Sequence, residues 1–215
     1  MHRRILRANA PYAVRLVVMV REPALGRVKT RLARDLGAVR ATNFYRVTSK
    51  AVLARIGRRG AWRTELGVTP DHAVASPALP DGFPRRAQGN GDLGARMQRV
   101  MDASPPGPVI VIGTDVPSIK SAHIQSAIKA LGTHDAVVGP SPDGGYWLVG
   151  LKRRPRVPRA FACVEWSSPE TLDQTLANLS VLKVARIASL PDVDEARDLA
   201  SVKGSVGRIV LPAGS

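Results

Sequence analysis

Apolar residues in this chain follow two rhythms. Short apolar runs closed by glycine, proline or charge mark buried strands, and longer stretches with apolar positions three and four apart mark helices. Val14 to Val20, broken only by Arg15, predicts a buried parallel first strand. Leu32, Ala33 and Leu36 then begin a helix. Ala38 to Ile56 carries Val39, Phe44, Val47, Ala51, Val52 and Ile56 at helical spacing, an amphipathic helix of about five turns. Gly57 to Gly60 breaks it, and Thr64 to Thr69 predicts a second strand stopped by Pro70. The Pro- and Ala-rich stretch Asp71 to Pro84 reads as a short helix and a loop.

Beyond Pro84 the helical rhythm returns with Leu93, Met97, Val100 and Met101 on one face and Asp92 placed to cap the helix start. Pro108 to Ile112 predicts the next strand, and Ser118 to Leu131 a helix capped by Ser118, with Ile119, Ile124, Ala127, Ile128 and Leu131 inward. Asp135 to Gly139 and Tyr146 to Leu151 read as strands. Ser167 or Ser168, with Pro169 and Glu170, starts a helix carried by Thr171 to Leu179. Val181 to Ile187 predicts a final strand. One domain, residues 14–203, is expected between a basic amino-terminal extension (1–13) and a carboxyl-terminal tail (204–215).

Composition changes this picture in three ways. No apolar run reaches the roughly 18 residues of a membrane span, and the amino terminus lacks the apolar core of a secretory signal, so a soluble, cytoplasmic protein is expected. The single cysteine, Cys163, excludes an internal disulfide; its neighbours Phe161 and Val164 predict a packed thiol. The net charge of +15 would suit nucleic acid, an anionic membrane surface or a polyphosphate ligand. Its arginines are dispersed in small groups such as Arg3/Arg4, Arg58/Arg59, Arg85/Arg86 and Lys152/Arg153/Arg154 with few aromatics between them, and no nucleic-acid module is present. That argues against nucleic acid as the main partner.

Candidate chemistry gathers where strands end. Val109 to Ile112 runs into Gly113-Thr114-Asp115, presenting one carboxylate at a strand's carboxyl end, where open α/β sheets bind ligands. Asp115 there suits a divalent metal on a phosphorylated substrate, or it simply caps the loop or the next helix. After the first strand, Arg21, Arg27, Lys29 and Arg31 surround Gly26. Such a loop can wrap phosphate oxygens, or it is a solvated basic loop; its spacing is not that of a Walker loop. Gln88-Gly-Asn-Gly-Asp92 permits close backbone approach to a ligand, with a Gln88 amide able to read a base edge or sugar hydroxyl; the alternative is a plain turn before a capped helix. Asp143-Gly-Gly-Tyr146 is either a hairpin turn or an acid paired with aromatics at a site. Asp192 and Asp194 either join a metal shell or form a turn and a cap.

Taken together and in this order, Lys29-Thr-Arg-Leu32, Gln88 to Met97, Ile112-Gly-Thr-Asp-Val-Pro117, Gly139 to Leu151 and Asp192-Val-Asp194 resemble the bacterial glycosyltransferase A-like family known as radical-SAM or selenodomain-associated transferases. More distantly the chain is similar to guanylyltransferases acting on phospholactate or molybdopterin. The resemblance spans about residues 14 to 200, and Asp143-Gly-Gly-Tyr-Trp147 is its most specific part. It implies a three-layer α/β/α sandwich with a mostly parallel sheet, of the nucleotide-diphospho-sugar transferase (GT-A) type. It further implies that Lys29 and Arg31 bind phosphates and that Asp115 holds Mg²⁺ or Mn²⁺, with Asp192 or Asp194 completing the metal site. Gln88, Gly91 and Asp92 would line the nucleotide pocket, and Asp143, Gly144, Gly145 and Tyr146 would face the second substrate. Asp115 and Asp143 are then the candidate catalytic residues. Two departures stand out: Thr114-Asp115-Val116 is not Asp-x-Asp, and the first loop lacks paired glycines. The expected activity is metal-dependent transfer of a sugar from a nucleotide sugar to a small acceptor. Its rivals are a nucleotidylyltransferase using a nucleoside triphosphate and releasing pyrophosphate, and a nucleotide- or partner-binding module without chemistry.

Overall fold

The computed structural model describes residues 13–57, 62–153 and 158–202. The amino-terminal extension through residue 12, Arg58/Arg59, Arg154 and the expected tail from Gly204 lie outside the described residues. The strands are β1 (Val14–Arg21), β2 (Trp62–Thr69), β3 (Arg85–Ala87), β4 (Val109–Ile112), β5 (Ala136–Pro140), β6 (Tyr146–Leu151) and β7 (Val184–Arg186). The helices are α1 (Thr30–Leu36), α2 (Ala38–Ile56), α3 (Leu93–Asp102), α4 (Ser121–Leu131) and α5 (Thr171–Asn178), with 3-10 turns at Asp71–Ala75 and Ala196–Val202.

All seven strands form one sheet in the order β3-β2-β1-β4-β6-β5-β7. β1 lies parallel between β2 and β4, which explains its unbroken apolar character: Leu16, Val17 and Val18 are fully buried. Alternate residues of the central strands enter opposite layers, as the two-residue period of a strand requires. Val18, Ile110 and Ile112 pack with Val52, Leu53 and Ile56 of α2 and Ile124 of α4. Val17, Val109 and Val111 pack on the other face with Met97 and Val100 of α3 and Leu172 of α5. The result is the expected three-layer α/β/α sandwich around a mostly parallel sheet.

β6 is the exception that shapes the working end. It runs antiparallel between β4 and β5, with Ile112 opposite Leu148 and Val109 opposite Leu151. The start of β6 therefore sits beside the carboxyl end of β4. Loops 22–29, 113–120 and 141–145 consequently share one edge of the sheet.

Several expectations are corrected. The helix after β4 starts at Ser121 rather than Ser118, because residues 117–120 are spent on a turn that drives Ile119 fully into the core. Ser118 is not its cap; the Lys120 backbone N–H donates to His123 Nδ1 at 3.2 Å instead. Leu93 is 46% exposed rather than inward, while Met97, Val100 and Met101 are buried. The final strand is only Val184–Arg186, and Val181 is 91% exposed. Cys163 is exposed, since its positive φ of 54° turns it outward while Phe161 and Val164 pack inward. Strand β3 has no apolar pattern to reveal it: it is a three-residue edge strand built on Arg85 and Arg86. Arg86 pairs with Glu65 at 3.0 Å, and the Arg85 guanidinium donates to the carbonyls of Val74, Ser76, Leu79 and Pro80, organising the preceding loop.

Gly144 ties the hairpin between β5 and β6 to α5. Its φ is 86°, its carbonyl accepts from Leu172 N at 2.9 Å, and a Cβ there would lie 2.1 Å from Pro169 O. Gly144→Ala is expected to destabilise by about 2 kcal/mol or more, the sum of backbone strain and overpacking. Gly26→Ala, at φ 69° with open space around its Cβ, carries the backbone contribution alone and is expected to cost about 1 kcal/mol. Urea unfolding of both variants checks the difference; equal losses would mean that Gly144 is not pinned by the Pro169 segment.

Candidate active site

The loop after β1 ends at Lys29, which enters α1 in the left-handed conformation, φ 47° and ψ 50°. An unforced lysine rarely adopts it. What holds it there is a pair of ions: Nζ lies 2.8 Å from Asp115 Oδ1 and 2.7 Å from Asp194 Oδ1. The Lys29 side chain is 6% exposed, against 48% for Asp115 and 41% for Asp194. Burial alone would favour loss of the lysine proton, but the two carboxylates outweigh it and hold the ammonium above the usual lysine range. Arg31 stands further out, with Nη1 3.6 Å from Asp194 Oδ2.

Asp194 reaches Lys29 because the segment around it is anchored between the two acids. Val193 is fully buried among Leu32, Ala41 and Phe44, and its N–H donates to the Asp115 carbonyl at 3.1 Å. The carboxylates on either side of it then serve different spaces. The cap reading of Asp194 does not hold: Asp198 Oδ2 accepts from the N–H groups of Asp194 and Glu195, leaving the Asp194 side chain to Lys29.

Sequence reasoning missed Tyr45. Its hydroxyl accepts from Arg21 N at 2.8 Å and is hydrogen-bonded to the Thr114 side chain, joining the end of β1 to the loop after β4. Burial, with the Asp115 charge, pushes its phenol up. The available signal was a tyrosine on the apolar face of α2, in line with Ala41 and Val52.

A cavity of about 740 Å³ opens above these groups. Arg21, Arg27, Lys29, Arg31 and Arg96 line it together with Asp115, Asp143 and Asp194. Arg96 was not anticipated; it follows Asp92 by one helical turn. Gln88 also lines the cavity but is 3% exposed, and its amide nitrogen donates to Val20 O at 3.2 Å and Gly67 O at 2.7 Å. Those donors hold the ends of β1 and β2 together. Asp92 caps α3, accepting from Ala95 N at 2.7 Å, and the Gly91 carbonyl accepts from Arg96 Nε at 2.9 Å. The glycine loop is thus a capped turn that aims Arg96 at the cavity.

A second cavity of about 260 Å³ adjoins the first through Asp115 and Asp143. Gly145 and Tyr146 of the hairpin, Trp166 and Asp192 also line it. Asp143 Oδ1 accepts from Gly145 N at 3.0 Å, and Gly144 makes the turn that lets it do so. Tyr146 and Trp166 meet edge-on at 6.4 Å, and burial raises the Tyr146 phenol. Burial, then the charges of Asp143 and Asp194, push the Asp192 carboxyl up to about 6.

Asp115 and Asp194 suit a hard divalent cation. They already converge on one positive charge, offer oxygen ligands, and are about half exposed to the larger cavity, where phosphate and water oxygens could complete a shell. Among the described residues no set of three carboxylate, imidazole or thiolate groups stands around one metal position, so Asp192 is not brought into such a shell with Asp115 and Asp194. Among the described residues no helix is long and apolar enough to cross a membrane.

Comparison with known proteins places this geometry. A candidate nucleotide-diphospho-sugar transferase from Desulfovibrio desulfuricans G20 superposes with a TM-score of 0.79 at 26% identity, covering 93% of this chain and 91% of that one. A CMP:2-keto-3-deoxy-manno-octonic acid synthetase, solved with CTP, gives 0.55 at 14% identity, with 91% and 98% covered. Glucosyl-3-phosphoglycerate synthase from Mycobacterium tuberculosis, solved with Mn²⁺, UDP and glucosyl-3-phosphoglycerate, gives 0.53 at 12% identity, with 96% and 83% covered. The last two show a shared fold. No functionally curated protein matches the sequence. Residues 52–168 match the DUF2064 family, described as an uncharacterised protein conserved in bacteria, and the chain belongs to that family.

Proposed function

We propose that the chain is a divalent-metal-dependent transferase that moves a glycosyl group from a nucleotide sugar to a small acceptor. The observation that carries this reading is the convergence of Lys29, Asp115 and Asp194 at the carboxyl ends of β1 and β4, between a cationic cavity and an acidic one. The donor's diphosphate would lie against Arg21, Arg27, Lys29, Arg31 and Arg96, with Mg²⁺ or Mn²⁺ held by Asp115 and Asp194. The metal, when bound, neutralises charge on the leaving diphosphate. Lys29 and Arg31 supply the same stabilisation from the protein, arranged before the reaction begins. Asp143, at the junction of the two cavities, is the group assigned to the acceptor's proton. Gly144 and Gly145 shape the turn that positions it, and Tyr146 forms the acceptor wall. Gln88, Gly91 and Asp92 act on the nucleotide through the turn they build. The Mn²⁺- and UDP-bound Mycobacterium tuberculosis structure supports both the metal and the donor class, and the Desulfovibrio relative supports the transferase assignment. The order of motifs supports membership in the radical-SAM or selenodomain-associated branch.

A second reading, nucleotidyl transfer, is favoured by the number of cations in the larger cavity, which would suit a triphosphate, and by the CTP-bound synthetase of the same fold. Product analysis separates the two. Release of a nucleoside diphosphate from a nucleotide sugar is expected; pyrophosphate released from a nucleoside triphosphate in the presence of an acceptor would establish the second reading instead.

Asp115→Asn keeps the side chain's shape and removes one charge from the proposed metal shell. Metal-dependent nucleotide affinity is expected to fall at least about tenfold, or roughly 1.4 kcal/mol, together with a loss of stability of about 1 to 2 kcal/mol, because the buried Lys29 ammonium keeps only Asp194 as a charged partner. A destabilised variant with unchanged affinity would sink the metal assignment.

Lys29→Met tests the cation competition directly. Removing the ammonium leaves Asp115 and Asp194 facing each other, and their partial exposure limits the expected loss to about 1 to 2 kcal/mol. Without nucleotide, Mn²⁺ should raise the variant's melting temperature more than that of the wild type, because it no longer competes with a tethered charge. An equal or larger shift in the wild type would count against a metal at this position.

A further inference from the structure

The two cavities have opposite electrostatic character, and this bears on the acceptor. Lysine and arginine side chains crowd the larger one. Among the described residues lining the smaller one there is no lysine, arginine or histidine, while Asp115, Asp143 and Asp192 supply carboxylates. The nearest ammonium, Lys29, is already held by Asp115 and Asp194. A phosphate or carboxylate seated against Asp143 and Asp192 would meet like charges, while the cations at the junction, Lys29 and the proposed metal, are engaged by Asp115, Asp194 and the donor's diphosphate, a disfavoured arrangement in a half-enclosed space.

What the walls offer instead is suited to hydroxyl groups. The carboxylates accept hydrogen bonds, Ser141, Ser167 and Ser168 supply hydroxyls, and Tyr146 with Trp166 makes an aromatic wall. At about 260 Å³ the space is below the roughly 300 Å³ at which pockets for drug-sized ligands begin, so it has room for one small molecule.

From this we propose that the second substrate is a small polyhydroxylated molecule of monosaccharide size that carries no anionic group, seated against Tyr146 and Trp166 with its hydroxyls on Asp143 and Asp192. An amino group on it is compatible with the same carboxylates. The proposal rests on the transferase reading and narrows it to acceptors without phosphate or carboxylate.

The test uses the full chain with Mn²⁺ and the nucleoside diphosphate that most raises its melting temperature. Glucose, mannose and glucosamine are compared with glucose 6-phosphate, mannose 6-phosphate and glucuronate by saturation-transfer NMR and tryptophan fluorescence. Trp147 and Trp166 both line the smaller cavity, so the part of a sugar-dependent fluorescence change that is lost in Trp166→Phe reports on Trp166. The neutral and amino sugars are expected to bind at least about tenfold more tightly than their acidic counterparts, equivalent to 1.4 kcal/mol. Trp166→Phe should weaken the neutral sugars, and Asp143→Asn with Asp192→Asn should narrow the gap between glucose and glucose 6-phosphate. An acidic sugar binding as tightly as its neutral parent overturns the proposal. So does a failure of all three non-acidic sugars to bind to a protein that nucleotide and Mn²⁺ still stabilise. Absence of any nucleotide effect is a different result, which removes the donor reading itself.

Discussion

A buried lysine ammonium needs compensation, and the way Lys29 obtains it organises the active end of this protein. Its partners come from the loop after β4 and from a segment 165 residues further along the chain, so one charge joins three parts of the sequence. Removing an ion from water costs several kcal/mol, and opposite charges at hydrogen-bond distance offset that cost only where the geometry is held. The holding is done by apolar contacts and backbone bonds. Val193 is packed beneath α1 and α2 and bonded to the Asp115 backbone, while Tyr45 links β1 to the Asp115 loop. The left-handed backbone at Lys29 persists because these contacts fix both carboxylates first.

Much of the fold was legible because its central strands are buried on both faces. Val14 to Val20, Arg15 apart, and Val109 to Ile112 had to be apolar, and α2 showed its extent and, through Phe44, Val52 and Ile56, part of its buried face by periodicity, although Val39 at its start is 70% exposed. What was not legible depended on partners distant in sequence. Arg85 and Arg86 form a strand only because β2 offers an open edge and Glu65 offers a charge. Ile119 draws the chain inward before α4 can begin, so a good capping residue at Ser118 is passed over.

The site was legible in the same graded way. Asp115 at a strand end and Lys29 in a basic loop could each be picked out locally, but their bond to one another could not. Asp194 looked like a cap because an aspartate before a helical stretch usually is one; Asp198, four residues on, takes that role and frees it. Gln88 carried the right chemistry for a ligand, yet its N–H groups are directed to the carbonyls of Val20 in β1 and Gly67 in β2. Tyr45 and Arg96 gave almost no local signal, since a tyrosine or arginine on an amphipathic helix is ordinary until the fold shows what it faces.

The hairpin at Asp143 shows why turn and site were never true alternatives. In a wholly parallel sheet every strand begins at the edge opposite the one where ligands bind, and a loop leading into a strand could not reach Asp115. Reversing β6 brings that loop to the carboxyl end of β4. The tight Asp-Gly-Gly turn then keeps it short, and the contact of Gly144 with Pro169 and Leu172 fixes it against the segment that carries Trp166. Turn geometry is therefore the means by which the carboxylate is positioned. It also explains the separation of charge across the site: the cations come from the end of β1, the loop after it, α1 and α3, the acids from the loops around β4, β6 and Val193, and the two sets meet at Asp115.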